Sequence, residues 1–257
     1  MNVTGNIQRN QNPTGWTQRI ALPTYEVGRA AELLGIGAKR LGHWYLPSRG
    51  ARGEIAPVLT SRPRRRRLSY LDLIEAVVVK TLRDSGMSIY GIKKAYSYLR
   101  DERGIDHPFA RMTLEGQGDH IYYDIHMGGI TEGTAEATQY GQTILRDVIA
   151  NYLRPLFTPE QAQKAQEAMQ QQLTFDSQMG MTIRWYPMGK DFPVFVDPRF
   201  GFGAPVLEAS HIPTSILLER HLAKASAQEI AEDFGISEDE VHWALMFEGA
   251  EQRPEAA

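Results

Sequence analysis

The chain has 257 residues, 42% of them hydrophobic, with 28 basic and 31 acidic side chains and a net charge of −3. It contains no cysteine, which excludes disulfides, thiolate zinc sites and cysteine nucleophiles. No apolar run approaches the ~20 residues that span a bilayer, and residues 1–18 lack the apolar centre of a secretory signal, so we expect a cytoplasmic protein.

The charge is divided unevenly along the chain. Residues 1–111 hold 19 Lys and Arg against 9 Asp and Glu, a net +10, whereas residues 112–257 hold 9 against 22, a net −13. This polarity predicts a basic module that binds a polyanion and an acidic half with a different task.

The first predicted elements are two short helices, at residues 25–34 and 37–45, separated by a tight turn at Gly35. On the second helix Leu41 faces inward, and Trp44 is expected in the core. The side chains left free to contact a partner are Lys39, Arg40 and His43.

A hairpin is predicted next, at residues 55–59, and an arginine run leads from it into a new helix. A helix pair, a hairpin and an arginine run are typical of a winged helix-turn-helix, in which one helix enters the major groove and the wing grips the backbone. The alternative, that the run is only solubilising charge, fits its position less well. The residues expected to contact DNA here are Arg49, Arg52, Arg64, Arg65, Arg66 and Arg67.

Two capped helices follow. Ser69 with Asp72 predicts the start of a helix that runs to Leu82, and Ser88 caps a second helix with an apolar face through Leu99. Over residues 24–103 the sequence resembles the DNA-binding domain of MerR-type regulators, which implies binding to double-stranded DNA. The matching residues are Arg66, Arg67, Ser69, Asp72, Leu73, Gly86, Met87, Ser88 and Ile89.

The chain then departs from MerR-type regulators, which continue into a long dimerising helix. Gly104 and Pro108 end the helix, and residues 109–125 predict two strands around a Gly-rich turn. Phe109, Met112 and Leu114 are expected to face Ile121, Tyr123 and Ile125 across it. The nearby Asp119, His120, Asp124 and His126 do not share one face of a strand, so we predict no metal site and no cofactor.

The middle of the chain predicts helices at 142–152 and 159–172 and strands at 183–186 and 192–196. Thr158 caps the second helix, with Pro159 at its first position. Because this helix is polar almost all round, it is either exposed to solvent or a spacer.

The C-terminal segment 196–248 has helix-turn-helix spacing, but its last helix begins with three carboxylates, Glu238 to Glu240, which would repel phosphate. It resembles a small bacterial and archaeal family whose members pair with a neighbouring PIN-like ribonuclease toxin. The matching residues are Asp197, Pro198, Gly203, Pro205, Val206, Ile212, Pro213, Thr214, Glu229, Ile230, Ala231, Val241, Ala244 and Leu245.

Together the two resemblances cover about half of the chain. A basic DNA-binding half followed by this C-terminal module resembles a VapB-type antitoxin with a MerR-like operator-binding domain. These resemblances imply a protein that blocks a PIN-like toxin and represses its own operon by binding operator DNA, as a homodimer. A stand-alone, ligand-responsive MerR-like regulator is the alternative. We expect no enzyme, because no nucleophile–base pair or catalytic carboxylate pair is visible. The residues expected to contact the toxin are Arg199, Ile216, Leu217, Arg220, Lys224, Trp243 and Phe247.

The expected fold class is mainly α with small β-elements (α+β). Five segments are predicted: a disordered lead-in at 1–20, the MerR-like domain at 21–106, a hairpin and helical region at 107–190, the C-terminal module at 191–249 and a disordered tail at 250–257.

Overall fold

The computed structural model describes residues 15–50, 53–59, 67–102, 104–117, 120–125, 158–177 and 179–251. The predicted helix at 142–152 lies outside these residues, as do Arg52, Arg64, Arg65, Arg66, Asp119 and His126. Within them, helices dominate and all the strand pairs are antiparallel, which confirms the α+β class. No described helix has the length and apolar character needed to cross a bilayer.

The described part of the chain begins with helices α1 (Gly15–Arg19), α2 (Val27–Leu33) and α3 (Ala38–Tyr45). The predicted helix start at Tyr25 is wrong, because Tyr25–Glu26 forms strand β1 and pairs antiparallel with Arg67–Leu68. Gly35 lies between α2 and α3 at a φ of 63°, a conformation that glycine adopts without strain. The predicted helix pair and its turn are therefore present, with a later start.

The hairpin lies earlier than the sequence indicated. It is formed by β2 (Ser48–Gly50) and β3 (Gly53–Ile55), and not by residues 55–59. The backbone N–H groups of Val58 and Leu59 donate instead to the carbonyl oxygen of Trp44, at 3.0 and 2.8 Å. Both side chains are buried, so this segment packs against the end of α3 rather than forming a strand. Strand β4 is Arg67–Leu68.

Helix α4 (Tyr70–Asp84) is buried on nearly every side and forms the centre of the first core. Its predicted cap is confirmed: the Ser69 hydroxyl accepts from the Asp72 N–H, and the Asp72 carboxylate accepts from the Ser69 N–H at 2.8 Å. Helix α5 (Ile89–Ser97), capped by Ser88 as predicted, continues into a π-helical turn at Tyr98–Glu102.

The two predicted strands near residue 115 are confirmed as β5 (Met112–Gln117) and β6 (His120–Ile125). Their register pairs Met112 with Ile125 and Leu114 with Tyr123, as expected. Phe109 precedes the strand and is buried, with its ring 5.1 Å from that of Tyr96.

Helix α6 (Pro159–Gln172) has the predicted cap and bounds. Its small apolar residues form one buried stripe, although the sequence looks polar all round. Ala162, Ala165 and Met169 join the first core, where α6 contacts α4. The helix is therefore part of the packed structure rather than a spacer.

A four-stranded sheet follows in the order β10-β9-β8-β7. Its strands are β7 (Leu173–Asp176), β8 (Met181–Trp185), β9 (Val194–Val196) and β10 (Pro205–Leu207), with a short 3-10 turn at Gly201–Gly203 before the last. Strands β8 and β9 confirm the two strands predicted here.

Helices α7 (Thr214–Leu222), α8 (Ala227–Phe234) and α9 (Glu238–Phe247) close the described chain. Ser226 and Ser237 cap α8 and α9 through Glu229 and Glu240. The three helices form a second core with the sheet, which contributes side chains to both cores. The fully buried members of this second core include Val194, Leu207, Leu217, Ile230, Val241 and Leu245.

Candidate nucleic-acid interface

Helix α3 presents a basic face to solvent. Lys39, Arg40 and His43 are exposed, whereas Leu41, Trp44 and Tyr45 are buried. Lys39 and Arg40 lie four and three positions before His43, so all three side chains share one side of the helix. The predicted core position of Trp44 is confirmed.

The buried side of α3 is fixed to α4 and to the segment after the hairpin. The Tyr45 hydroxyl donates to the carbonyl oxygen of Asp72, and the Trp44 carbonyl oxygen accepts the two N–H groups described above. These contacts hold the basic face at a set orientation relative to the central helix.

The hairpin adds one described arginine beside this helix. Arg49 is exposed on β2 and lies opposite Glu54 on β3. The Lys93 ammonium donates to the carbonyl oxygen of Ala56 at 2.9 Å and so connects α5 to the chain after the hairpin. Arg67 pairs with Glu26 at 2.9 Å, with both side chains largely exposed.

Arg67 is thus paired, but three other cations of this surface are not neutralised within the described chain. Lys39, Arg40 and Arg49 form no ion pair with any described residue. A charged face without internal partners attracts a polyanion, and such binding weakens as salt rises.

Beneath α3, three titratable side chains meet in the core, and sequence reasoning missed them. Glu75 is fully buried, and its Oε2 atom accepts from the Tyr96 hydroxyl at 3.1 Å and lies 3.2 Å from His107 Nδ1. Asp72 Oδ1 lies 3.9 Å from the same nitrogen. The signal in the sequence was Glu75, a carboxylate within the long apolar run of α4.

Burial, hydrogen bonds and neighbouring charges together shift the pKa values of Glu75 and His107. Burial raises the pKa of Glu75, although the hydrogen bond to His107 and its charge act in the opposite direction. Burial acts to lower the pKa of His107, but the hydrogen bond to Glu75 and the charges of Glu75, Asp72 and Asp106 raise it on balance.

The first and last parts of the described chain meet at a junction. The Tyr25 hydroxyl donates to the Gly203 carbonyl oxygen at 2.7 Å, and Arg29 contacts both oxygens of Glu248 at 2.9 and 2.7 Å. The Thr214 hydroxyl donates to Glu248 at 2.5 Å. Helix α2, next to the basic face, is thus bonded to the end of α9.

No protein-family model matches this chain. It is 25% identical over 249 residues to a Mycobacterium tuberculosis protein named "Putative antitoxin VapB45", a match that covers 88% of this chain and 94% of that protein. The crystal structure of Rv2018 from Mycobacterium tuberculosis aligns with a TM-score of 0.57 at 19% identity, over 88% of this chain and 99% of that one. The two chains share a fold.

Of the three basic residues predicted to contact a toxin, two form ion pairs with acidic residues of the C-terminal segment. Arg199 donates to buried Asp197, with Nη2 to Oδ2 at 2.6 Å, and Arg220 pairs with Asp233. Lys224 is exposed and forms no ion pair with the described residues.

The apolar residues predicted for the same partner differ in exposure. Leu217 is fully buried in the second core, so it does not present a surface. Trp243 and Phe247 are partly buried against that core, and Ile216 is 39% exposed. Of this set, Ile216 is the most accessible apolar side chain.

Proposed function

We propose that this chain is the antitoxin of a type II toxin–antitoxin pair, which neutralises a PIN-like ribonuclease toxin and represses its own operon by binding operator DNA. The observation that carries the proposal is the similarity to the mycobacterial protein named as an antitoxin, because it extends over most of both chains. The MerR-type and toxin-partner resemblances at the two ends of the sequence support the two activities.

The DNA-binding activity is assigned to the region 21–106, acting as a winged helix-turn-helix. Helix α3 would enter the major groove with Lys39, Arg40 and His43, and the hairpin would carry Arg49 and Arg52 to the phosphates. The arginine run Arg64–Arg67 would add backbone contacts. A single short reading helix gives little specificity, so the protein would bind paired half-sites as a homodimer.

Toxin neutralisation is assigned to the C-terminal module, residues 191–249, with the region 107–190 joining it to the DNA-binding part. The resemblance implies a toxin whose active site holds clustered carboxylates around Mg²⁺, and an acidic surface does not fill such a site by charge. Because Arg199 and Arg220 are held by Asp197 and Asp233, only Lys224 of the three candidate cations is exposed and unpaired among the described residues. Docking would therefore rest mainly on apolar contact around Ile216.

The deciding experiment is a growth assay in cells that express the PIN-like toxin that this proposal places in the same operon. Ile216→Asp places a charge in the proposed apolar contact, and we expect it to abolish rescue, because burying an unpaired carboxylate at an interface is costly. Ser215→Asp is the matched control, since it adds the same charge at the neighbouring exposed position. It should rescue growth like the unmodified chain.

Operator binding is measured on the same variants. Both should bind promoter DNA with unchanged affinity, because neither position lies on α3 or the hairpin. Failure of the unmodified chain to rescue growth would remove the antitoxin function. Equal rescue by Ile216→Asp would move the toxin-binding surface elsewhere.

A further inference from the structure

The cluster beneath α3 brings together three side chains that commonly bind metals. Asp72 and Glu75 are one turn apart on α4, and His107 reaches them from the loop before β5. Their nearest ligand atoms all lie within 4.8 Å of one another. We propose that Asp72, Glu75 and His107 form a binding site for a divalent transition-metal ion, with zinc as the best fit.

The distances between the ligand atoms suit such an ion. Zinc binds nitrogen and oxygen ligands at roughly 2.0–2.2 Å in a tetrahedral arrangement, which places neighbouring ligand atoms about 3.4 Å apart. His107 Nδ1 is 3.2 Å from Glu75 Oε2 and 3.9 Å from Asp72 Oδ1. Small side-chain movements would complete a three-residue site with a water as fourth ligand.

One oxygen of the cluster has no hydrogen-bond partner among the described residues, although it is buried. Asp72 Oδ1 accepts from no described donor, whereas Oδ2 accepts from both the N–H and the hydroxyl of Ser69 at 2.8 Å. The Asp72 side chain is only 10% exposed, so water does not readily solvate the free oxygen. A buried acceptor left without a donor is rare and costly, and a bound cation would satisfy it.

The other contacts of the cluster orient its ligands. The Phe109 N–H donates to Glu75 Oε1 at 3.3 Å, and the Tyr96 hydroxyl donates to Oε2. Hydrogen bonds of this kind fix carboxylate ligands in metal sites. His107 has a φ of 49°, a left-handed conformation that is strained for a non-glycine residue and is common at ligand-binding positions.

Charge and ligand type select the class of ion. Binding a metal ion displaces the protons that the cluster holds, and the two carboxylates and the neutral imidazole that remain carry a charge of −2, which a divalent cation balances. The imidazole favours zinc and its neighbours over Ca²⁺ and Mg²⁺, which prefer oxygen ligands. The His107 side chain is 24% exposed, which leaves a path for the ion to enter.

Isothermal titration calorimetry tests the proposal. Zinc chloride is titrated into the full chain after its purification tag has been removed and bound metal has been stripped with a chelator. We expect one equivalent to bind per chain, without background from thiolates because the chain has no cysteine. His107→Gln should weaken binding at least ~100-fold, since it removes a direct ligand. His242→Gln is the matched control, because it breaks the half-exposed pair of His242 with Glu251 at 2.8 Å. It should leave the stoichiometric site intact.

Circular dichroism establishes that each variant is folded. If His107→Gln does not fold, Asp72→Asn takes its place, because it retains an oxygen for the Ser69 cap. A second measurement is the visible absorption of added Co²⁺, which should show tetrahedral coordination in the unmodified chain only. Absence of stoichiometric zinc binding, or equal binding by the cluster variant and the unmodified chain, would overturn the site and leave an ion-paired core.

Discussion

At the scale of single residues, Gly203 is the described glycine at which an added Cβ atom would have the closest neighbour. Its carbonyl oxygen accepts from the Tyr25 hydroxyl, and its φ of 84° is one that side chains rarely adopt. A Cβ atom added there would overlap the Tyr25 hydroxyl oxygen. Burial, and then the charge of Asp197, raise the pKa of Tyr25 well above its ordinary value, so the hydroxyl remains a donor.

We therefore expect Gly203→Ala to lower the free energy of unfolding more than Gly189→Ala does. Gly189 has a similar φ of 89°, but no atom of the described residues lies within 4 Å of a Cβ added there, so its substitution reports backbone strain alone. Overpacking against Tyr25 should add about 1–3 kcal/mol to that strain. Urea unfolding of the two variants measures the difference.

Adding Tyr25→Phe to Gly203→Ala identifies the cause. Removing the hydroxyl takes away the overlapping atom, so the double variant should recover part of the loss, although the hydrogen bond is gone. If Gly203→Ala and Gly189→Ala were equally destabilised, the contact between Tyr25 and Gly203 would not constrain the loop.

At the scale of elements, the sequence predicted best what depends on near neighbours. Ser69 has Asp72 three residues on, and Thr158 is followed by Pro159 at the first helical position, so these helix starts could be found from near neighbours alone. The hairpin was misplaced because Val58 and Leu59 look like strand residues, and their partner is the Trp44 carbonyl oxygen of another element.

The parts that sequence reasoning missed depend on contacts far along the chain. The buried stripe of α6 is built from alanines, which give little apolar contrast until α4 is placed against them. Likewise, nothing local joins Glu75 to His107, although they lie 3.2 Å apart in the fold. The exposed face of α3 could be predicted, because it follows from periodicity within a single helix.

A test of DNA binding by α3 follows from its exposed basic face. Arg40→Ala should weaken operator binding by about 1–3 kcal/mol and relax the preference at one base pair, if Arg40 contacts a base edge. Lys164→Ala is the control, since it removes an exposed cation from α6 and leaves α3 intact. Fluorescence anisotropy with the promoter and with scrambled DNA separates affinity from specificity. Unchanged selectivity in Arg40→Ala would exclude this helix as the reader.

At the scale of the whole molecule, the pair of Arg29 and Glu248 joins the two cores. Arg29 lies on α2 beside the first core, and Glu248 follows α9 in the second. The Glu248 side chain is only 4% exposed, whereas Arg29 is 40% exposed. The buried carboxylate therefore depends on the guanidinium and the Thr214 hydroxyl for its partners.

Arg29→Met should leave the Glu248 carboxylate buried with one donor. The loss of a buried partner costs several kcal/mol, and the partial exposure of Arg29 reduces this to about 1–3 kcal/mol. Arg220→Met, which breaks a pair exposed by about half on both sides, should cost under about 1 kcal/mol. The double variant Arg29→Met with Glu248→Gln should recover stability, because it removes the unpaired charge.

Native-state hydrogen exchange of Arg29→Met then distinguishes a junction from an ordinary stabilising contact. If the pair holds the C-terminal helices to the rest, amides in α7, α8 and α9 should exchange faster, while those in α4 keep their protection, because α4 draws on the first core. A uniform rise in both regions would mean that the two cores unfold as one unit. In that case the proposed boundary near residue 191 would have no energetic basis.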